Sequence, residues 1–142
     1  QAADPDGYLN TFVTLMQPDK RWGANGGDQL WCHEEYDAGC LVEAGVHHYR
    51  ATGKTSLLAL AVRFSDYMCD LMGPAPKRNV VPSHPLPEEA FIELYRLLRD
   101  EPGMADRLQA RGDPRRYLEL VRFWMESRGN HAGTPHHPGP AQ

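Results

Sequence analysis

His33 and His84 are the two residues of this 142-residue sequence whose type and placement best suit chemistry. Each stands at the N-terminal entrance to a helical pattern. His33 precedes Glu34, Glu35 and Tyr36, and His84 lies in Ser83-His-Pro-Leu-Pro-Glu-Glu89. Two imidazoles brought to one rim could hydrogen-bond the hydroxyls of a small polyol, or orient one carboxylate. Spacing alone supports equally a simpler role, in which each histidine only neighbours a helix N-terminus. Glu34 belongs to the same polar cluster as His33 and is carried with it as a candidate contact.

Other chemistry-bearing residues are less pointed. Cleaving a glycosidic bond usually takes two carboxyl groups facing across a sugar, and the chain offers Glu34, Glu35, Asp37, Glu43, Glu88 and Glu89. Spacing cannot select a pair among them, and Glu88 and Glu89 are accounted for as first-turn residues that complement a helix dipole. Trp22, in the Gly-rich stretch Trp22 to Asp28, could stack on a sugar face or plug one end of a helical core. The plug is the simpler arrangement, with the sugar contact kept as a candidate role. His47 and His48 are consecutive in a helical pattern, so their side chains diverge by about 100° and cannot chelate one ion together. His131, His136 and His137 sit among Pro and Gly that offer no preorganised metal geometry.

Helices must position these groups. From Cys32 to Lys54, the residues Ala38, Leu41, Val42, Gly45 and Tyr49 recur on one helical face, and Gly53 stands where a helix end needs positive φ. A second helix runs from Thr55 or Ser56 to about Met72, with Leu57, Leu60, Ala61, Phe64, Met68 and Leu71 inward. Gly73-Pro-Ala-Pro76 stops it, and 77–85 is an extended crossing. A third helix starts near Pro87 with Phe91, Leu94, Tyr95 and Leu98 buried. Residues 100–112 read as an inserted loop with a short helix near 105–110. Asp113 caps a fourth helix, with Pro114 at its first position and Tyr117, Leu120, Val121, Trp124 and Met125 inward. Ahead of all four, Tyr8 to Leu15 is rich in β-branched and aromatic residues and predicts a short extended N-terminal segment. Residues 130–142 predict a flexible tail.

Composition narrows the function classes. With 41% hydrophobic and 24% charged residues the chain suits one globular domain. A net charge of -4, with no Lys/Arg run, argues against a nucleic-acid partner. The longest apolar run, Leu57 to Val62, is too short to span a bilayer, so no membrane role is expected. Three cysteines without Cys-x-x-Cys spacing predict reduced, packed thiols, and with no signal-peptide pattern they favour a cytoplasmic compartment.

The four helices form two hairpins that resemble each other at an offset of 60: Leu58 and Leu60 match Leu118 and Leu120, and Phe64 matches Trp124. Repeated αα-hairpins with short turns and longer crossings predict an all-α superhelix or closed α/α toroid, with a four-helix bundle as the competing arrangement. In a toroid, equivalent positions of successive hairpins share a rim, which would bring His33 and His84 together.

An ordered set of segments resembles a known family. Asp6-Gly-Tyr-Leu-Asn-Thr11, Lys20-Arg-Trp22, His33-Glu-Glu-Tyr-Asp-Ala-Gly-Cys-Leu-Val-Glu-Ala44, His84-Pro and the Tyr117-Leu-Glu-Leu-Val-Arg-Phe helix ending in Ser127-Arg-Gly129 are similar to the β-L-arabinofuranosidase group, glycoside hydrolase family 127 and its relatives. The resemblance implies an (α/α)6 barrel, of which residues 1–129 would be the N-terminal part. It implies a cleft for a terminal L-arabinofuranose hydrolysed with retention, using an acid/base glutamate and a zinc-bound cysteine thiolate. Both catalytic groups would lie beyond this chain, which would hold no cofactor itself and be inactive alone. His33 and His84 correspond to positions that contact the sugar. Asp37, Cys40 and Ser83 depart from the family pattern. Expected partners are the carbohydrate and either the remainder of the barrel or further copies of the chain. A non-catalytic carbohydrate-binding or scaffold protein is the alternative.

Overall fold

The computed structural model describes residues 3–27 and 32–128. The predicted tail, Trp31 and Gly129 lie outside these. Among the described residues the chain is helical, with no strand beyond a bridge pairing Met72 with Arg78. In order come α1 (Thr11–Met16), a 3-10 segment (Pro18–Gly26), α2 (Glu34–Thr52), α3 (Ser56–Leu71), α4 (Leu86–Asp100), the short α5 (Met104–Arg107) and α6 (Arg115–Ser127). No helix among the described residues is long and apolar enough to cross a membrane.

The central helix is α2. It packs against α3 through a tight connection in which Gly53 takes φ 69°, and against α4 across the longer crossing. Contacts pair Gly39 with Pro87 near the start of both helices and Arg50 with Glu93 further along, so α2 and α4 run side by side in the same direction. A Cβ on Gly39 would stand 3.0 Å from the Pro87 Cα, so glycine is what lets the two helix starts meet. α6 returns antiparallel along α4, with Phe91 5.2 Å from Trp124 and Arg128 paired with Glu88. Asp66 of α3 accepts from the Arg111 N–H and the Tyr117 hydroxyl, both at 2.8 Å, and so ties the second hairpin to the first. Asp113 accepts from the Arg115 N–H at 2.8 Å, but Pro114, expected as the first helical residue, takes the cap position instead, with the helix starting at Arg115.

One continuous core runs through both hairpins, from Val42, Leu58 and Phe64 to Phe91, Leu120 and Trp124. Fully burying each such large side chain contributes roughly 1.5–3 kcal/mol before the cost of ordering it.

The predicted extended N-terminal segment is corrected by the structure. The chain is irregular only as far as Asn10, after which Thr11–Met16 is helical. The reason is local: the Asn10 side chain accepts from the Val13 N–H at 3.0 Å, an N-cap that outweighs the β-propensity of Thr11, Val13 and Thr14. Phe12, Leu15 and Met16 of α1 are exposed. Arg78, in the crossing, donates to the Trp22 carbonyl at 3.0 Å and so fastens the 3-10 segment beneath the rest of the fold.

Candidate functional site

His33 occupies the residue before α2 with φ 50°, a left-handed conformation that few residues other than glycine adopt. Its carbonyl still accepts the first helical bond, from the Asp37 N–H at 2.8 Å. His84 lies in the bend that leads into α4 and is exposed. The two imidazole centroids are 5.4 Å apart, so the structure brings together the two histidines that the hairpin repeat predicts on one rim. Tyr36 completes a triangle, its ring 5.4 Å from His84 and 6.2 Å from His33, edge-on to each. His33 Nδ1 is buried without a hydrogen-bond partner among the described residues. Asp37 is close enough for His33 to oppose the upward shift that burial gives its carboxyl.

Trp22 and Glu34 are placed elsewhere, against their candidate roles as sugar contacts. Trp22 is fully buried, 5.4 Å from Tyr8, 6.0 Å from Phe64 and 6.3 Å from Tyr67, so it plugs the core and presents no face to a ligand. Glu34 is only 1% exposed. One of its oxygens accepts from the Tyr8 hydroxyl and the other from the Trp22 N–H at 2.7 Å. Burial raises its carboxyl, while Tyr8, Trp22, Arg78 and Arg21 oppose the rise. Glu34 therefore anchors the N-terminal segment directly beneath His33. Arg21, which stacks 4.1 Å over the Tyr8 ring and pairs with Asp4 and Asp6, completes that anchor. Its role and that of Arg78 escape a sequence reading, although Lys20-Arg-Trp22 stands among the resembling segments.

Of the remaining candidate carboxylates, Asp37 and Glu43 are exposed. Glu35 is fully buried with neither oxygen hydrogen-bonded, and burial pushes its carboxyl well above the ordinary range. Glu88 is paired with Arg128, and Glu89 is exposed. Among the described residues no three His, Cys, Asp or Glu side chains converge to hold a metal ion. These residues therefore do not offer a ligand set for the zinc that the resemblance implies for the complete enzyme. Cys40 is exposed and Cys69 buried, its thiol pushed up to about 12 by that burial. A concavity of about 550 Å³ lies between the end of α3 and α6, lined by Met72, Lys77, Leu120 and Phe123 among others, and contains none of the four candidates. The histidine pair sits instead on an open rim.

Side-by-side helices that start from the same end, each led in by a histidine, belong to the all-α architecture of α/α-barrel glycoside hydrolases. Residues 1–138 match the family model described as β-L-arabinofuranosidase, GH127 catalytic domain, and the chain belongs to that family. It is similar to the crystal structure of a GH127 β-L-arabinofuranosidase from Geobacillus stearothermophilus T6, at 30% identity and a TM-score of 0.74 over 94% of this chain and 18% of that one. It is also similar to the GH127 β-arabinofuranosidase BT3674, at 30% identity and a TM-score of 0.71 over 96% of this chain and 21% of that one. The chain thus spans about a fifth of the length of these relatives. No match was found among curated proteins.

Proposed function

We propose that this chain supplies the sugar-binding side of a β-L-arabinofuranosidase cleft, with His33 and His84 receiving the hydroxyls of a terminal L-arabinofuranose. The observation that carries the reading is the 5.4 Å pairing of imidazoles from two successive hairpins on one open rim. An imidazole nitrogen can donate to or accept from a hydroxyl, and with His33 Nδ1 buried the pair would engage neighbouring hydroxyls of one small sugar through the other His33 nitrogen and the exposed His84 ring. Retaining hydrolysis in the complete enzyme would use an acid/base glutamate and a zinc-bound thiolate supplied from outside the described residues. This chain's part is to bind and orient, and no bond-breaking step is assigned to it.

The alternative, a non-catalytic carbohydrate-binding scaffold, draws support from the single core that holds both Phe64 and Trp124, although Leu57 stays outside it. Calorimetry with L-arabinose tests what the two readings share. His33→Ala and His84→Ala should each weaken binding about tenfold or more, in line with the loss of one or two ligand hydrogen bonds. Unchanged affinity in both variants would remove the sugar-binding reading altogether.

A further inference from the structure

Tyr36 is the feature of this rim that the functional reading leaves unused. It lies in the first turn of α2 yet keeps its ring out of the core, 38% exposed, where Ala38 and Val42 of the same helix are fully buried. Its hydroxyl has no hydrogen-bond partner among the described residues. What its ring does touch is both imidazoles, edge-on, with interplanar angles of 60° to His33 and 72° to His84.

The two histidines hang on different kinds of backbone. His33 is set by a left-handed residue immediately before a helix, and His84 by an irregular bend. Neither ring makes a hydrogen bond among the described residues that would fix its rotation. Beyond the nearby Asp37 charge at His33, ring packing is what the rim offers to hold the imidazoles, and Tyr36 is the one member of the triangle mounted inside a regular helix. Edge-to-face ring contacts are directional, because a positive ring edge prefers a negative ring face. A tyrosine contacting both imidazoles therefore fixes their mutual angle as well as their separation.

We infer that Tyr36 is the positioning residue of the His33–His84 pair: its ring, rather than its hydroxyl, holds the two imidazoles at the spacing and tilt that a sugar's hydroxyls require. This rests on the sugar-binding reading for its purpose, but not for its geometry. A chain lacking the Tyr36 ring keeps both histidines and loses their alignment.

The test uses the full chain and two measurements. The imidazole carbon-bound proton resonances, recorded without sugar, report ring packing directly. In Tyr36→Leu both histidines should shift and broaden, and L-arabinose affinity by calorimetry should fall about tenfold, the scale of losing two aromatic contacts. Tyr36→Phe should rescue both the resonances and the affinity. If Tyr36→Phe loses as much affinity as Tyr36→Leu, the hydroxyl is the active part and the inference is overturned. If Tyr36→Leu leaves both histidine spectra as in the parent, it is overturned as well. Should His33→Ala and His84→Ala bind sugar like the parent, the sugar reading fails on its own, while the resonances still decide the role of Tyr36. Tyr36→Phe is near-isosteric, so it separates ring from hydroxyl even if the leucine variant does not fold.

Discussion

A carboxyl group sealed in the core, as at Glu35, is one of several that shape how this chain responds to pH, since burial also raises the carboxyls of Glu34, Asp37 and Asp66. Burial is the largest influence, with Glu34 and Asp37 pushing the same way and the Glu35 backbone N–H and Arg78 opposing. The folded chain therefore keeps a proton that the unfolded chain releases near the ordinary value of 4.5. More protons bound in the folded state means that stability falls as pH rises above that value, until the folded group itself ionises. Glu35→Gln should lessen this slope while still burying an unpaired polar group. Glu35→Leu should lessen it and add about 1–3 kcal/mol at neutral pH, the usual cost of such a group. Urea unfolding at pH 5 and pH 8 separates the variants, and a slope shared by parent and both variants would rule the account out. None of this could be read from the sequence. Glu34, Glu35 and Asp37 all suit a first helical turn, and only the packing of α2 decides that Glu35 faces inward.

Among the elements, the start of α2 depends on how closely α4 can approach, and Gly39 controls that distance. Gly39→Ala would normally favour a helix by about 1 kcal/mol. Here the added Cβ would meet the Pro87 backbone at 3.0 to 3.1 Å, which cannot swing aside as a flexible side chain would. The variant should lose about 1–3 kcal/mol, as overpacked interfaces do, and a gain in urea midpoint would contradict that picture. The helices themselves were legible in the sequence. Ser56–Leu71 and Leu86–Asp100 fall within a residue or so of their predicted limits, because a 3-4 apolar rhythm and proline punctuation mark them plainly. Thr11–Met16 was not, because six residues are too few for a rhythm to outweigh β-branched composition, and the decisive signal was the single cap at Asn10. The meeting of His33 and His84 followed from the repeat, whereas the burial of Trp22 and Glu34 depended on contacts with Tyr8, Phe64 and Tyr67 that no local pattern announces.

For the whole molecule, the described residues supply a rim and an anchor beneath it, and the buried carboxyl groups are tied up or sealed within the fold. Glu34 is bonded to Tyr8 and Trp22, Glu35 is sealed, Asp66 holds Arg111 and Tyr117, and Glu88 holds Arg128. The chain alone should release no L-arabinose from a β-L-arabinofuranoside. Detectable release above a heat-denatured control, measured by reducing-sugar assay or chromatography, would refute that division of labour.

The fastening of Arg78 to the Trp22 carbonyl links residues 56 positions apart in the chain. During synthesis from the N-terminus, the aromatic plug has no Phe64 or Tyr67 to rest on, and no guanidinium to hold it, until the ribosome has passed the crossing. The contacts that hold Trp22 can therefore form only after α3 and the crossing are available, since long-range contacts are made only after the loop between them has closed. The plug at Trp22 is thus secured only by residues much later in the chain, and the rim above it is complete only once they are in place.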